Sequence, residues 1–151
     1  MDAIDYKILK ILQKNARETA SNISKEIHLS VSAVNERIRK MEETGVIKEY
    51  TIIVDEKKTG NEMTALMEVS LEHPKFFDSF ADAIQKLEYI VSCYYQTGDF
   101  DLIIRISCHS SDELEEIHRQ VMSLPGVDAT RTHVVLKNVK NIYSAIRRPD
   151  K

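Results

Sequence analysis

The sequence contains few of the residues that interrupt or cross-link a chain. Its 151 residues include four glycines, three prolines and two cysteines, so we expect an ordered protein outside its termini. Cys93 and Cys108 match no zinc-binding spacing, and their apolar neighbours predict buried thiols in a reducing compartment. Apolar runs such as VSCYY and LIIRI are too short to cross a membrane, and the opening MDAIDYKILKIL is acidic where a signal peptide is positive. We therefore expect a cytoplasmic protein without a membrane partner.

The chain also lacks a strong excess of positive charge. Its formal net charge is −3, from 21 Lys or Arg and 24 Asp or Glu. Residues 1–50 carry nine Lys or Arg against eight Asp or Glu, and the remainder carry twelve against sixteen. This balance disfavours a non-specific nucleic-acid binder, so any site for a polyanion must be a local patch of positive charge.

The first 45 residues do contain the spacing of three short amphipathic helices. Each predicted helix follows a side chain that can accept hydrogen bonds from its first amides; these caps are Asp2, Thr19 and Ser30. The third helix, which ends before Gly45, has apolar residues at i, i+3, i+7 and i+10; they are Val31, Val34, Ile38 and Met41. His28 is interpreted as a residue of the preceding turn, where a left-handed backbone is usual and histidine is tolerated. The pattern predicts a helix-turn-helix.

The third helix has a polar face opposite its apolar stripe. Short polar side chains come first and cations follow, as in a helix that reads base edges with its N-terminal residues and binds phosphates with its flanks. The residues of this face are Ser32, Asn35, Glu36, Arg39 and Lys40, with Arg37 at its margin. A solvated helix surface is the alternative explanation, but the helix-turn-helix spacing favours binding to double-stranded DNA. Two copies in a symmetric dimer would supply more phosphate contacts than one.

The periodicity changes after the third helix. The run VIKEYTIIVD is rich in β-branched residues and predicts a strand over residues 46–54, whose exposed edge could pair with its twin in a dimer. The elements that follow have the order β-α-β-β-α-β, which predicts a ferredoxin-like antiparallel sheet with both helices on one face. The predicted fold is therefore α+β, with a helix-turn-helix (winged-helix-like) domain over residues 1–46, a linker strand and hinge over residues 47–62, and a ferredoxin-like domain over residues 63–151.

Two groups of polar residues in the second half are candidates for a ligand site. Gly98, Asp99 and Asp101 lie at the tip of the predicted central hairpin. A Gly-Asp turn has an ordinary structural explanation, but Asp101 lies one step inside an apolar strand, where a carboxylate needs a partner such as a bound ammonium group. On the last predicted strand the hydroxyls of Thr130 and Thr132 share one face, although β-propensity alone explains these two residues.

Four stretches of the sequence together span nearly the whole chain: DAIDYKILKILQKN, LSVSAVNERIRKMEETGVIKEYT, TGDFDLII and LPGVDATRTHVVLK. In this order they resemble the leucine-responsive regulatory protein/AsnC (Lrp/AsnC) family of bacterial and archaeal transcription regulators. The resemblance implies an N-terminal DNA-binding domain, a β-strand hinge, and a ferredoxin-like domain that binds a small effector, usually an amino acid, in the regulation of amino-acid metabolism. It also implies dimers that commonly assemble into tetramers or octamers, with effector sites where dimers meet.

The resemblance also assigns residues by position. The family's recognition helix corresponds to the third helix, with the positions Ser32, Asn35, Glu36, Arg37, Arg39 and Lys40. The family's effector loop corresponds to Gly98, Asp99 and Asp101, with Thr130 and Thr132 on the neighbouring strand that often helps to line the pocket.

An enzyme is the competing hypothesis, because tetrapyrrole (sirohaem) decarboxylases resemble the same two-domain architecture. His109, His118 and His133 could serve such chemistry, but none has a cysteine, histidine or carboxylate at a recognisable metal or nucleophile spacing. We therefore predict no catalytic residue, no metal and no cofactor other than the effector. His28 replaces the glycine that is common in the family's turn, which affects how the recognition helix is set. Arg119 has two alternative roles: a pocket residue that favours an acidic effector, or a solvated surface arginine. A protein–protein adaptor is a third possibility, which a flat response of binding to salt would indicate.

Overall fold

Side chains that accept hydrogen bonds define the starts of the first three helices in the computed structural model, which describes residues 1–149. The helices are α1 (Ala3–Lys14), α2 (Ala20–Ile27) and α3 (Val31–Glu43). The predicted caps are confirmed, because Asp2, Thr19 and Ser30 each accept hydrogen bonds from amides two or three residues further along the chain. These bonds satisfy amides that have no partner within the helix. The beginnings of the helices therefore follow from the local sequence.

A small apolar core holds these helices together. Its buried side chains come from all three helices: Ile8, Leu12, Ile23, Val34 and Met41. The predicted stripe of α3 is confirmed at Val34 and Met41, and Ile38 is partly buried against them. Val31, however, is 42% exposed. The prediction was wrong for Val31 because this residue is the first of α3, and the core covers the helix only from Val34 onwards.

The turn between α2 and α3 has a left-handed residue at its centre. His28 has φ of 58° and ψ of 46°, and its amide donates a hydrogen bond to the carbonyl of Ser24. Among residues 1–149, His28 is the one non-glycine residue with positive φ. Its predicted place in the turn is confirmed, and the imidazole stands where glycine would remove the steric cost.

Replacing His28 by glycine is expected to raise the free energy of unfolding by about 0.5 kcal/mol. A left-handed conformation costs an L-residue roughly 1–2 kcal/mol, and the added freedom of a glycine in the unfolded chain offsets roughly 0.5–1 kcal/mol of that gain. Urea denaturation measures the difference. Lys7→Gly, at an exposed position inside α1, is the matched control and should lower stability by roughly 1 kcal/mol. A His28→Gly protein no more stable than the wild type would contradict the prediction.

The second half alternates strands and helices in the predicted order. Its elements are β1 (Met63–Leu71), α4 (Phe77–Ile84), β2 (Ile90–Tyr95), β3 (Leu102–Cys108), α5 (Ser111–Met122) and β4 (Val127–Val134). The sheet has the order β2-β3-β1-β4, and every neighbouring pair is antiparallel. Alternate residues of β1 and β3 are buried with apolar residues of both helices, so the helices cover one face. The predicted ferredoxin-like sheet is confirmed.

Packing divides the chain into an N-terminal unit, residues 1–53 with residues 140–149, and a C-terminal unit, residues 54–139. The predicted domain boundaries differ from this division at both ends of the C-terminal unit. The first part of the predicted linker belongs with the helices, and so does the tail of the chain. The last residues of the predicted ferredoxin-like domain, Asp150 and Lys151, lie outside the described residues.

The tail belongs with the helices because it packs against α1. The side-chain amide of Gln13 donates a hydrogen bond to the carbonyl of Ser144. Leu9 of α1 and Ile142 and Tyr143 of the tail line a shared groove of about 640 Å³. Sequence periodicity does not reveal this contact, since the partners are separated by most of the chain.

The linker differs from its prediction. Residues 46–54 form no β-ladder with any described part of the chain, and Ile52 is 81% exposed. A strand requires a neighbour for its amides and carbonyls, and residues 1–149 of the single chain supply none at this place. The following residues are fixed instead by Glu56, whose carboxylate forms an ion pair with Arg105 and accepts a hydrogen bond from Ser107 Oγ at 2.9 Å. The start of the C-terminal unit is thereby attached to β3.

The two cysteines lie in different environments. Cys108, at the end of β3, is 1% exposed, and burial raises the pKa of its thiol. Cys93 lies on β2 and is exposed. The prediction of buried thiols is confirmed for Cys108 and wrong for Cys93, because β2 is an edge strand that its neighbours only partly cover.

Candidate nucleic-acid interface and effector site

The structure exposes most of the predicted DNA-binding face of α3. The exposed members are Ser32, Asn35, Glu36, Arg39 and Lys40. Arg37, at the margin, is half-buried. The 13 residues of α3 give a length of ~20 Å at 1.5 Å per residue, which suits a major groove about 12 Å wide. The helix therefore presents polar side chains along one accessible side.

Arg37 is held by two carboxylates of the N-terminal turn of α1. Its Nη1 lies 2.7 Å from both Asp2 Oδ2 and Asp5 Oδ1. Hydrogen bonds from the Asp5 amide and from Arg37 lower the pKa of Asp2 to about 2, and the hydrogen bonds to the two carboxylates raise the pKa of Arg37. Asp2 and Arg37 therefore stay ionised at neutral pH, and the pairs bridge two helices.

Arg39 pairs with carboxylates of its own helix. Its Nη2 lies 2.7 Å from Glu36 Oε1, and its Nη1 lies 2.6 Å from Glu43 Oε1; the hydrogen bond to Glu36 is the largest cause that raises the pKa of Arg39. All three side chains are more than half exposed, and such pairs contribute little to stability. Lys40 forms no ion pair with any carboxylate in the described part of the chain. Arg39 and Lys40 are thus the cations of this face that a phosphate can approach.

The loop between β2 and β3 is fixed by Asp101 and leaves Asp99 exposed. The Asp101 carboxylate accepts a hydrogen bond from the amide of Leu71 at 2.8 Å, and the Asp101 amide donates to the carbonyl of Val69 at 3.0 Å. Leu71 lies at an irregularity in the pairing of β1 with β4, so a side chain supplies the acceptor for its amide. The partner that Asp101 needs is therefore the backbone, and Gly98, with φ of 133°, allows the loop to turn.

Thr130 lies across β1 from this loop. It pairs with Val69, whose carbonyl accepts from the Asp101 amide, so Asp101 and Thr130 are separated by one strand, or roughly 10 Å at the usual strand spacing. Thr132 lies two residues further along β4, is exposed, and is more distant from the loop. The structure thus brings Thr130, more than Thr132, to the region of the predicted effector loop.

His118 is a neighbour of this region that the sequence does not identify. Its Nε2 lies 3.0 Å from Thr130 Oγ1, but α5 and β4 are separate elements and no local spacing connects the two positions. Arg119, the next residue, has a side chain that is 67% exposed and pairs with Glu115 of its own helix at 3.5 Å. This contact supports the solvated alternative for Arg119.

The other two histidines considered for enzyme chemistry, His109 and His133, make isolated contacts. His109 Nδ1 lies 2.9 Å from the carbonyl oxygen of Gly60, and His133 Nε2 lies 3.5 Å from Glu68 Oε2. Within residues 1–149, no three His, Cys, Asp or Glu side chains are grouped so as to hold a metal ion. Over the same residues, no helix combines the length and apolar character needed to cross a bilayer.

Two domain families match the two halves of the chain. Residues 1–48 match a winged helix-turn-helix DNA-binding domain, and residues 64–144 match the Lrp/AsnC ligand-binding domain. The chain belongs to the Lrp/AsnC family. The resemblance found in the sequence is thereby confirmed, and so is the α+β fold that it implied.

Individual relatives agree with this assignment. The HTH-type transcriptional regulator FL11 of Pyrococcus horikoshii is 39% identical over 140 residues, which cover 93% of this chain and 92% of that protein. The leucine-responsive regulatory protein of Escherichia coli is 34% identical over 143 residues, with 93% and 87% covered. The structure of a Neisseria meningitidis transcriptional regulator in complex with L-Met has a TM-score of 0.92 at 25% identity, with 97% of this chain and 96% of that chain covered.

The family assignment settles the broad function. Members matched over nearly the whole chain are named an HTH-type transcriptional regulator and a leucine-responsive regulatory protein. With its matched DNA-binding and ligand-binding domains, this Lrp/AsnC protein is a DNA-binding transcription regulator with a ligand-binding domain. The prediction that the protein is not an enzyme is confirmed by these relatives, and none of them favours the tetrapyrrole decarboxylase alternative.

Proposed function

We propose that this Lrp/AsnC protein is a cytoplasmic regulator of amino-acid or related metabolism that reads an operator with α3 and binds an amino acid beside residues 98–101. The accessible polar face of α3 carries the proposal for DNA. Arg39 and Lys40 can reach phosphates there, while Ser32 and Asn35 can reach base edges. The matched ligand-binding domain, and the L-Met complex of a protein with a similar fold, support an amino-acid effector.

Asp99 is the side chain that we assign to the ammonium group of the effector. It is exposed, whereas Asp101 already accepts a hydrogen bond from the Leu71 amide. A carboxylate–ammonium contact is charge-assisted and therefore stronger than a neutral hydrogen bond. In this arrangement Gly98 and Asp101 shape the loop, and the hydroxyls that complete the site come from Thr130 and Thr132.

The exposed linker provides a basis for assembly. Residues 46–54 lack a ladder partner within the described chain and carry exposed apolar side chains such as Ile52 and Ile53. Pairing with the same segment of a second copy satisfies the backbone and forms a homodimer, which places two α3 helices on two half-sites. Dimers then associate into a tetramer or octamer, and an effector bound between dimers shifts this assembly through its different affinities for the two arrangements.

The proposed effector site predicts a thermal response to one or a few of the twenty amino acids. A ligand that binds only the folded state stabilises it by about 2.7 kcal/mol at 100 times its Kd, so the midpoint of thermal unfolding rises. Asp99→Asn is expected to reduce this rise because it removes the charge that pairs with the ammonium group. Asp112→Asn, at an exposed position in the first turn of α5, is the control and should leave the rise unchanged.

The two parts of the effector proposal have separate negative results. If no amino acid shifts the midpoint of the wild-type protein, the class of effector is wrong. If one amino acid shifts the wild type and the Asp99→Asn protein equally, the effector class stands and the assignment of Asp99 is wrong.

Selection of bound sequences from random duplex DNA tests the other half of the proposal. A common motif in two half-sites is the expected outcome for a dimer that presents two α3 helices. Titration of the selected DNA at increasing salt should then give a linear fall of log K with log salt, because binding releases counterions from the neutralised phosphates. A flat salt response would favour the protein–protein adaptor.

A further inference from the structure

We propose that Arg37 is a positioning residue, which ties α3 to the N-terminus of α1 and so sets the angle at which α3 meets DNA. The proposal rests on the DNA-binding function proposed above. It differs from the sequence-based assignment, in which Arg37 was one of several side chains on the DNA-binding face. Arg37 would act on base recognition without itself binding phosphate.

The geometry of the guanidinium supports this role. Arg37 Nη1 is 2.7 Å from Asp2 Oδ2 and 2.7 Å from Asp5 Oδ1. Its side chain and that of Asp5 are 31% and 16% exposed, respectively, so the contact is partly withdrawn from solvent. Both carboxylates lie in the first turn of α1 or at its cap, where negative charge is favourable because of the helix dipole. The pairs therefore connect two different helices at one point.

The two carboxylates are themselves immobilised by the backbone. Asp2 Oδ1 accepts hydrogen bonds from the amides of Ile4 and Asp5, and Asp5 Oδ2 accepts from the amide of Asp2. This reciprocal arrangement is a capping box. With the two bonds from Arg37, all four carboxylate oxygens have partners. A phosphate could recruit the Arg37 Nη1 group only by separating it from this network, which would leave two aspartates without their cation.

Arg39 offers a contrast within the same helix. Its two partners, Glu36 and Glu43, belong to α3, so these pairs cannot influence how α3 is oriented against another helix. They are also more exposed than the Arg37 pairs and are weakened more readily by salt. The two arginines are two positions apart but have different roles. Arg39 remains available to DNA, and Arg37 holds α3 against the N-terminus of α1.

The orientation of α3 matters because base recognition tolerates little displacement. A binding constellation must be held to about 0.5 Å and 10–20° of its productive geometry, whereas phosphate contacts through long flexible side chains adapt to larger shifts. The apolar contacts of Val34 and Met41 fix α3 in the core but are not directional. Loss of the Arg37 bridge should consequently weaken discrimination between sequences more than it weakens general attraction to DNA.

Arg37→Ala and Asp5→Asn are the variants that test the proposal. Binding to the selected duplex and to a scrambled duplex is measured by fluorescence anisotropy over a salt series. For Arg37→Ala we expect the ratio of the two affinities to fall roughly tenfold, comparable to one mismatched base pair. Asp5→Asn leaves the pair between Arg37 and Asp2 in place and should lower the ratio by less, and both variants should keep the salt slope of the wild type. The double variant should be no worse than Arg37→Ala alone, because Asp5→Asn weakens the same bridge that Arg37→Ala removes.

The opposite assignment gives opposite results. If Arg37 bound phosphate directly, Arg37→Ala would weaken both duplexes alike and reduce the salt slope by about one for each subunit. Asp5→Asn would then strengthen binding to the scrambled duplex, because it removes one of the two carboxylates that neutralise the cation. Either pattern would overturn the proposal, and the Asp5→Asn arm keeps the test valid if Arg37→Ala does not fold, because the guanidinium remains in place.

Two further results would distinguish a failure of this proposal from a folding defect and from a failure of the DNA-binding function on which it rests. A variant with a purely structural defect loses active protein but keeps the wild-type ratio of affinities, so an unchanged ratio with a lower active fraction would also overturn it. If the wild-type protein binds neither duplex at low salt, the DNA-binding proposal fails first, before any variant is compared.

Discussion

A Gly126→Ala protein is expected to be about 1–4 kcal/mol less stable than the wild type. Gly126 has φ of 83°, a conformation that costs an L-residue roughly 1–2 kcal/mol, of which the smaller freedom of alanine in the unfolded chain offsets roughly 0.5–1 kcal/mol. A Cβ at this position would lie 2.1 Å from Cγ and 2.5 Å from Cβ of Phe76, in the 3₁₀ turn Pro74–Phe76 that precedes α4. Relief of that overlap requires the turn to shift, at a further cost of roughly 1–3 kcal/mol. Urea denaturation followed by circular dichroism measures the loss.

Gly60→Ala is the matched control. Gly60 also has positive φ, at 97°, but a Cβ there would meet no atom within 4 Å. Its replacement should cost only the conformational part, about 0.5 kcal/mol once the smaller freedom of alanine in the unfolded chain is included. Equal losses in the two proteins would show that the approach of Gly126 to Phe76 contributes nothing to stability. Gly126 also matters for the fold, because its carbonyl accepts a hydrogen bond from the amide of Glu72.

A Lys40→Ala protein is expected to bind its operator about 30-fold more weakly at physiological salt. Lys40 is exposed on α3 and makes no ion pair with a described carboxylate, so its charge is available to phosphate. In the proposed dimer, two such lysines neutralise two phosphates, and each released counterion contributes roughly 0.7 logarithmic units at 0.15 M salt. Affinities measured by anisotropy between 50 and 200 mM salt should therefore show a slope smaller by about two.

Two variants control for this effect. Lys86→Ala makes the same change of charge at an exposed position outside α3 and should leave both affinity and slope unchanged. Lys40→Arg keeps the cation and should retain most of the binding. If Lys40→Ala weakens binding to one base position only, or has the same slope as the wild type, Lys40 does not act as a phosphate contact.

The helical half of the fold was predictable in detail because its determinants are local. Asp2, Thr19 and Ser30 cap amides within three residues of themselves, and the 3.6-residue period identifies Val34 and Met41 as core residues. The same reasoning could not recognise that Val31 lies at the uncovered end of α3. Periodicity indicates which residues share a face, but the packing of neighbours determines how far along the helix that face is buried.

The linker shows a different limit. A β-branched segment favours an extended backbone, and that preference is all that residues 46–54 contain. Whether an extended segment becomes a strand depends on a ladder partner, and none of the described residues supplies one. The predicted strand over residues 46–54 can therefore form only if the same segment of a second copy pairs with it, as in the proposed dimer.

The candidate sites divide in the same way. The sequence identifies the cations of α3 and the carboxylates of the loop, but it does not show their partners. Arg37 meets Asp2 and Asp5 across 35 and 32 residues, and the Asp101 carboxylate meets the amide of Leu71 across 30 residues. Arg37 and Asp101, which the sequence assigned to DNA and to the effector, therefore stabilise the fold through these contacts. Arg39, Lys40 and Asp99 are charges of the two candidate sites that remain accessible.

The sequence by itself determined the order of the elements, the caps of the helices, the left-handed turn at His28 and the membership of the Lrp/AsnC family, because each of these depends on residues close together in the chain or on motifs in a fixed order. Only the tertiary structure decided which charges are free and which are paired, where the tail lies, and which histidine approaches Thr130. Those properties depend on distances between segments far apart in sequence, and a side chain can bind a ligand only with the hydrogen-bonding capacity that such neighbours leave unused.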